Sequence, residues 1–383
     1  YVLRREGGIR WKELGEASQI DKAIESLREA LRDPLREDVK GLARKAYARI
    51  FQPIQPFLPG MTRLLISPDS LLNVIPFEVL IDQQGRYLVQ RYSISYLTSG
   101  RDLLRLQIPR DSKGGPLIIA DPDFGRRSQG TMAQLAQEER GAPEVAIQDQ
   151  RKWAASTFRE YNFLPLPYSA QEGKTLRELL PEATLLTRRE ATKTALSQVR
   201  SPSLLHIATH GFFLEGSHST GPGLRSHGKS EQLHESGEIS TENPLLRSGL
   251  VLAGANEQRE DDNGIMTALE MTGLDLWGTR LVVLSACDTG IGEVKVGDGI
   301  HGLRRALVLA GAESQVISLW AISDKATRDL MIGYYRLLKQ GEGRGDALRK
   351  EQLKMLKSMN WGHPHYWACF IQSGEWANLA GRR

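Results

Sequence analysis

Apolar residues in the second half of this chain fall into two alternating rhythms. In "PLIIADPDF", "ATLLTRRE", "SLLHIATHG", "RLVVLSACDTG" and "SQVISLWAI" they occupy consecutive positions. Between these runs, in "AQEGKTLRELLP", "TKTALSQVR" and "GLRRALVLAG", they recur about every three or four residues, the period of a helix. A strand that is apolar at every position needs cover on both faces, and strands alternating with helices are joined by crossovers. Together these features predict an α/β fold with a mostly parallel sheet between two helical layers. Two further helices, "DKATRDLMIGYYRLLKQ" and "GDALRKEQLKMLKSM", precede a last strand in "HYWACFIQSG".

Upstream the pattern is different. Residues 17 to 52 read as two amphipathic helices, and "TRLLISPDSLLNVIPFEVLID" as an apolar strand, a Pro-Asp-Ser turn and a second apolar run. "YLVQRYSISYLTS" adds another strand. The expected division is a smaller α/β unit over 1–112, which contains neither Cys nor His, and a larger one over 113–383. Two stretches interrupt the larger unit. Residues 124–165 are rich in Gln, Arg, Glu and Gly, and 214–247 have almost no apolar content. Such segments bury too little surface to offset their ordering entropy, so both are expected to be mobile loops, the second planted just after His210.

Charge and composition narrow the functional classes. The net charge of +4 is spread through interspersed acids and bases, as in "DKAIESLREALRDPLREDVKGLARKAYARI", with no basic stripe interleaved with aromatics, so direct nucleic-acid binding is not expected. No apolar stretch reaches the roughly 18 to 20 residues that span a bilayer, which predicts a soluble chain with no membrane partner. Cys287 and Cys369 cannot form a disulfide framework and fit a reducing, cytoplasmic compartment. The chain opens on Tyr1 without a signal pattern, as an excised part of a longer protein would.

Candidate chemistry gathers at two strand ends. His210 closes one apolar run and Cys287 the next, and ligands of open parallel sheets bind beyond the carboxyl ends of the strands. If the two strands are neighbours, an imidazole and a thiol share one rim. The histidine can then take the thiol proton and the thiolate can act as nucleophile. Gly211 leaves a backbone N–H open to close approach, and the N–H of Cys287 offers a second donor to a developing oxyanion.

His206 and His210, four apart, could chelate one metal only on a helix, because four residues of strand span about 13 Å. Their flanks are strand-like, and Ile207 stands where a zinc-protease helix carries glutamate, so no metal is expected and His206 reads as a core residue. "GDGIHG" matches a glycine-rich dinucleotide pattern but stands ten residues past Cys287 rather than directly after a strand, so no nucleotide or other cofactor is expected. "HPHYWAC" reads as a β-edge and core element, and His218, His227 and His234 as solvated loop residues. From the residues alone, a cysteine peptidase, a binding module that keeps the fold, and a cysteine acyltransferase or amidase all remain open.

Four motifs in fixed order, "HIATHGFF", "LVVLSACDTG", "GDGIHGLRRALVLAGAESQVISLWAISDKAT" and "HPHYWACF", resemble the CHAT proteases, caspase-like cysteine peptidases often attached to tetratricopeptide repeats, and more distantly separase. The likeness is strong over about 200–375 and weaker around "LLISPDSLLNVIPFEVL". It implies a caspase-like three-layer fold, with the first unit an inactive caspase-like half. By this resemblance His210 is general acid and base, Cys287 the nucleophile, and Gly211 with Cys287 the oxyanion hole. Leu319, Trp320 and Ala321, in "SLWAIS", would pair with an extended protein or peptide substrate through the main chain.

Several caspase-like relatives take a basic residue before the scissile bond over an acid at the pocket floor. Asp298 is the first candidate for that acid, then Asp288 and Asp324, although Asp324 before "KATRDL" also fits a helix N-cap. The resemblance further implies upstream tetratricopeptide repeats or a regulatory partner protein. Cleavage or reordering of 214–247, with Arg225 and Arg247, or of 124–165, is expected on activation.

Overall fold

The apolar runs assemble into one eight-stranded sheet. The computed structural model describes residues 1–4, 7–108, 110–125, 162–214, 243–257, 263–286, 292–295 and 299–381, with the backbone alone for 292–295 and 299–301. Strands β1 (Val2–Leu3) and β2 (Ile9–Arg10) form a small hairpin. The main sheet uses β3 (Arg63–Ile66), β4 (Ser93–Tyr96), β5 (Leu117–Pro122), β6 (Thr184–Arg188) and β7 (Leu204–Ala208). Beyond it come β8 (His210–Phe213), β9 (Ser248–Val251) and β10 (Ile265–Thr267), which form a separate antiparallel sheet. The remaining strands are β11 (Leu281–Ser285), the β12–β13 hairpin (Gly292–Lys295 and Gly299–Gly302), β14 (Ser314–Ser318) and β15 (Phe370–Gly374).

In space the main sheet runs β3-β4-β15-β14-β11-β7-β5-β6, and every neighbouring pair is parallel except β14 with β15. After β3 and β4 at one edge, the chain crosses to β5, steps outward to β6, then returns past β5 to β7 and continues to β11 and β14. The helix Pro167–Leu179 of the first crossover packs on β5 and β6. Since crossovers between parallel strands are right-handed as a rule, steps in opposite directions assign Lys193–Ser197 of the return crossover to the other face. The long helix Asp324–Lys339 lies against Pro167–Leu179, completing that layer. The reversal falls between β5 and β7, and their carboxyl ends open the crevice where such sheets take ligands.

The boundary expected near residue 112 does not interrupt the sheet. Ser373 of β15 pairs with Tyr96 of β4, and the Ser373 hydroxyl donates to the Tyr96 carbonyl at 3.0 Å. One apolar core runs from Leu27 and Tyr92 through to Trp367 and Phe370, with Tyr87 and Trp367 meeting edge to face at 5.2 Å. Within the early unit, Glu78 is buried and accepts from the Tyr96 hydroxyl at 2.6 Å; burial pushes its carboxyl up to about 7.

Two expectations are corrected, and one apolar run gains an assignment. The run "SLLHIATHG" is not one strand ending at His210: its main-sheet part stops at Ala208, and His210 begins β8 in the antiparallel sheet. The second apolar run near residue 75 forms two 3-10 turns, Ser70–Val74 and Phe77–Val79, because the Asp69 and Asn73 side chains bond nearby main-chain groups and Pro76 removes a donor. "HPHYWAC" is no β-edge: Pro364–Trp367 is a helical turn whose N-cap is His363, and β15, beginning at Phe370, is interior to the sheet. Of the two segments expected to be mobile, 126–161 and 215–242 lie outside the described residues.

Candidate functional site

Strands β7 and β11 are direct neighbours, with Ala208 opposite Ser285 as the last pair of the register. Both strands are buried up to that point. Thr209 then crosses between sheets. Its N–H donates to the Ser285 carbonyl at 3.3 Å, and its hydroxyl donates to the carbonyl of Val251 in β9. His210 follows, held in β8 opposite Val251, with Gly211 opposite Leu250.

The His210 ring is half-buried between two aromatic rings, Phe124 at 5.2 Å and Phe163 at 5.9 Å between centroids. Its Nε2 lies 2.8 Å from the carbonyl oxygen of Leu164. A carbonyl can only accept, so Nε2 carries the proton and the basic lone pair of the neutral ring is on Nδ1. A main-chain oxygen thus orients this histidine. Phe124, Phe212, Val251, Ala255 and Ile265 form a small second core beneath it, joined by Phe163 and Leu214.

The partner strand is described as far as Ala286, whose buried carbonyl accepts from the Ser318 hydroxyl of β14. Cys287, Asp288 and Asp298 lie outside the described residues. Ser318 thus ties the end of β14 to the end of β11. Beyond it Leu319 and Trp320 are buried, the Leu319 N–H donating to the Cys369 carbonyl at 2.8 Å and the Trp320 indole to the His365 carbonyl at 3.0 Å. Ala321 is the member of this trio that reaches the surface.

Asp324 does not cap its own helix. Ser323 is that N-cap, its hydroxyl accepting from Ala326 N–H at 3.2 Å. The Asp324 carboxylate instead accepts from Tyr168 N–H at 2.8 Å, at the start of Pro167–Leu179, where the N-cap residue Leu166 has no side-chain acceptor. Burial raises the carboxyl above its ordinary value; the Tyr168 hydrogen bond opposes that, Glu172 adds to it, and the nearby His210 lowers it.

His206 is buried between sheet and helices. Its Nδ1 is 3.0 Å from the Tyr335 hydroxyl and its Nε2 2.8 Å from Glu172 Oε1, an ion-pair distance without an aligned hydrogen bond. The two histidines therefore have separate surroundings, and among the described residues no three His, Cys, Asp or Glu side chains gather as a metal site. At the ends of β5 and β6, Arg188 meets Asp121 at 3.5 Å and Asp123 at 3.7 Å, pinning the outer wall of the crevice.

Sequence reasoning missed Phe124, Phe163, Leu164 and Asn256. The contribution of Leu164 is its carbonyl, which any residue type supplies, so no side-chain pattern marks it. The strands β9 and β10 that hold His210 in place were also missed, being short and embedded in polar surroundings.

A family model described as the CHAT domain matches residues 40–375. The tetratricopeptide repeat protein 28 of Homo sapiens is 24% identical over 324 residues, covering 82% of this chain and 12% of the relative. Its counterpart in Mus musculus is 24% identical over 329 residues, again covering 82% and 12%. This chain thus spans about an eighth of the length of the curated relatives it matches. Among solved structures, the Arg-specific cysteine proteinase gingipain R aligns with a TM-score of 0.43 at 11% identity, covering 94% of this chain and 75% of that one. The Saccharomyces cerevisiae separase–securin complex aligns at 0.40 and 12% identity, covering 92% and 20%.

Proposed function

The chain belongs to the CHAT domain family, and from that premise we propose that it is a cysteine endopeptidase working through His210 and Cys287. The observation that carries the reading is the register of β7 and β11. Ala208 and Ser285 are paired, and each of the two candidate residues stands two positions further along its chain. The Leu164 carbonyl supports it by setting the tautomer a general base needs.

In this mechanism Nδ1 of His210 accepts the Cys287 thiol proton, and the thiolate attacks the carbonyl carbon of a peptide bond. The Gly211 and Cys287 N–H groups stabilise the oxyanion. As the tetrahedral intermediate collapses, the C–N bond breaks and the imidazolium returns its proton to the departing amine. Water, deprotonated by His210, then hydrolyses the thioester and frees the thiol. No metal or cofactor takes part.

Substrate would lie along the end of β14 near exposed Ala321, since the side chains of Leu319 and Trp320 are in the core. Asp298 and Asp288 are the proposed acids for a basic residue before the scissile bond. Asp324 is the weaker choice, its carboxylate already holding the Tyr168 N–H. The strands from 1–112 serve as a non-catalytic support of the same sheet, and a repeat-bearing segment or partner protein controls activity in the cytoplasm. The deciding experiment is labelling with a peptidyl chloromethyl ketone. Selective reaction at Cys287, lost in His210→Ala, supports a peptidase; equally slow reaction of Cys287 and buried Cys369 would make the domain a silent scaffold.

A further inference from the structure

Asn256 is 5% exposed and spends its whole carboxamide on the main chain around His210. Its Oδ1 accepts from Phe163 N–H at 2.9 Å, and its Nδ2 donates to the Phe163 carbonyl at 3.0 Å and to the Gly125 carbonyl at 3.2 Å. Its own N–H donates to the Phe124 carbonyl at 2.8 Å. One residue thus grips both polar groups of Phe163, the neighbour of Leu164, and joins that segment to Phe124–Gly125.

The consequence reaches the imidazole by two routes. The rings of Phe124 and Phe163 flank His210, and the next carbonyl along from Phe163 takes its Nε2 proton. Asn256 is itself anchored by a short turn. Gly254 N–H donates to the Asp123 carbonyl at 2.9 Å, and Gly264, at φ 63°, packs so closely on Ala255 that a Cβ would stand 2.7 Å from the Ala255 Cα. A buried amide with every polar atom committed has one low-energy orientation, so it transmits position rather than merely filling space.

We propose that Asn256 is a positioning residue for the general base, fixing the Leu164 carbonyl and through it the Nε2–H tautomer of His210. The catalytic consequence rests on the peptidase reading; the structural one does not.

The test uses the full chain and two variants. Asn256→Ala removes the clamp, while Asn256→Asp keeps the acceptor for Phe163 N–H and loses both donors, giving a second reading should the alanine variant fold poorly. Imidazole 15N resonances of His210 are expected to report one tautomer in the parent and a mixture in each folded variant. The rate of Cys287 alkylation by a peptidyl chloromethyl ketone should fall roughly tenfold to a hundredfold, the scale expected when a reacting group is misplaced by a fraction of an ångström to 1 Å. An unchanged tautomer and rate in a folded variant overturns the inference alone. A parent Cys287 that reacts no faster than in His210→Ala overturns the peptidase reading and the catalytic role of Asn256, and the resonances then decide the tautomer claim independently.

Discussion

The Leu164 carbonyl oxygen sits 2.8 Å from Nε2 of His210, although the two residues are 46 apart in sequence. A general base at this position would need its proton-bearing nitrogen fixed, and a peptide group supplies the acceptor that a carboxylate supplies elsewhere. A carbonyl has no charge to titrate, so the orientation does not depend on the ionisation of a third side chain.

Removing either member of the dyad should abolish cleavage. Cys287→Ala and His210→Ala are each expected to lower turnover of a cognate protein by at least about a thousandfold, with little change in melting temperature. Cleavage assays beside thermal melts check this, and full turnover in either variant would refute the assignment.

The buried His206–Glu172 pair is predicted to matter for stability rather than chemistry. Both side chains are almost fully buried, 2.8 Å apart. Glu172→Leu strands the histidine and should cost about 3 kcal/mol, whereas His206→Leu combined with Glu172→Leu should cost clearly less than the sum of the two single changes. Urea unfolding of the four proteins measures the coupling; strict additivity would mean the contact carries no energy.

Gly249 has no room for a side chain. A Cβ there would collide with the Met266 carbonyl oxygen and stand 2.6 Å from the Phe212 ring, prising apart the three strands that hold His210. Gly249→Ala is expected to destabilise by about 1 to 3 kcal/mol and to lower Cys287 reactivity even where the protein remains folded. Parent-like reactivity would show that β8 tolerates displacement.

The buried Glu78 predicts a pH signature. Its carboxyl is pushed up to about 7 from an ordinary 4.5, so between those values the native state holds a proton that the unfolded chain has released. The stability this group contributes is present in full below about 4.5 and is lost as pH rises through 7. Glu78→Gln should therefore gain on the parent across that window, by roughly 3 kcal/mol at the upper end. Urea midpoints of both proteins at the two ends of the window give the difference; a gap that does not widen with pH would contradict it.

Asp324→Ala should cost about 1 kcal/mol through loss of the Tyr168 cap. If a preference for a basic residue before the cleaved bond survives the change, as expected, the pocket acid is another residue; a lost preference would restore Asp324 to that role.

The proposed composition of the candidate site depends on residue type and so is readable in the letters, although Cys287 lies outside the described residues. An imidazole, an adjacent glycine and a thiol at the ends of apolar runs can be named from the letters. The core placement of His206 also followed from its flanks. The capping role of Asp324 was half visible: the side chain that likes helix N-termini does cap one, but a different helix, since Ser323 was better placed for its own.

Local patterns determined most main-sheet strands, the long helices and the α/β class, because burial on both faces writes an apolar run and burial on one writes a helical period, and both are properties of neighbouring residues. Tertiary structure alone decided that Ala208 faces Ser285, that His210 starts a strand of a second sheet, and that Leu164 and Asn256 belong to its surroundings. These depend on where distant backbone groups come to rest, and a peptide carbonyl or N–H is the same in every residue that could have been there.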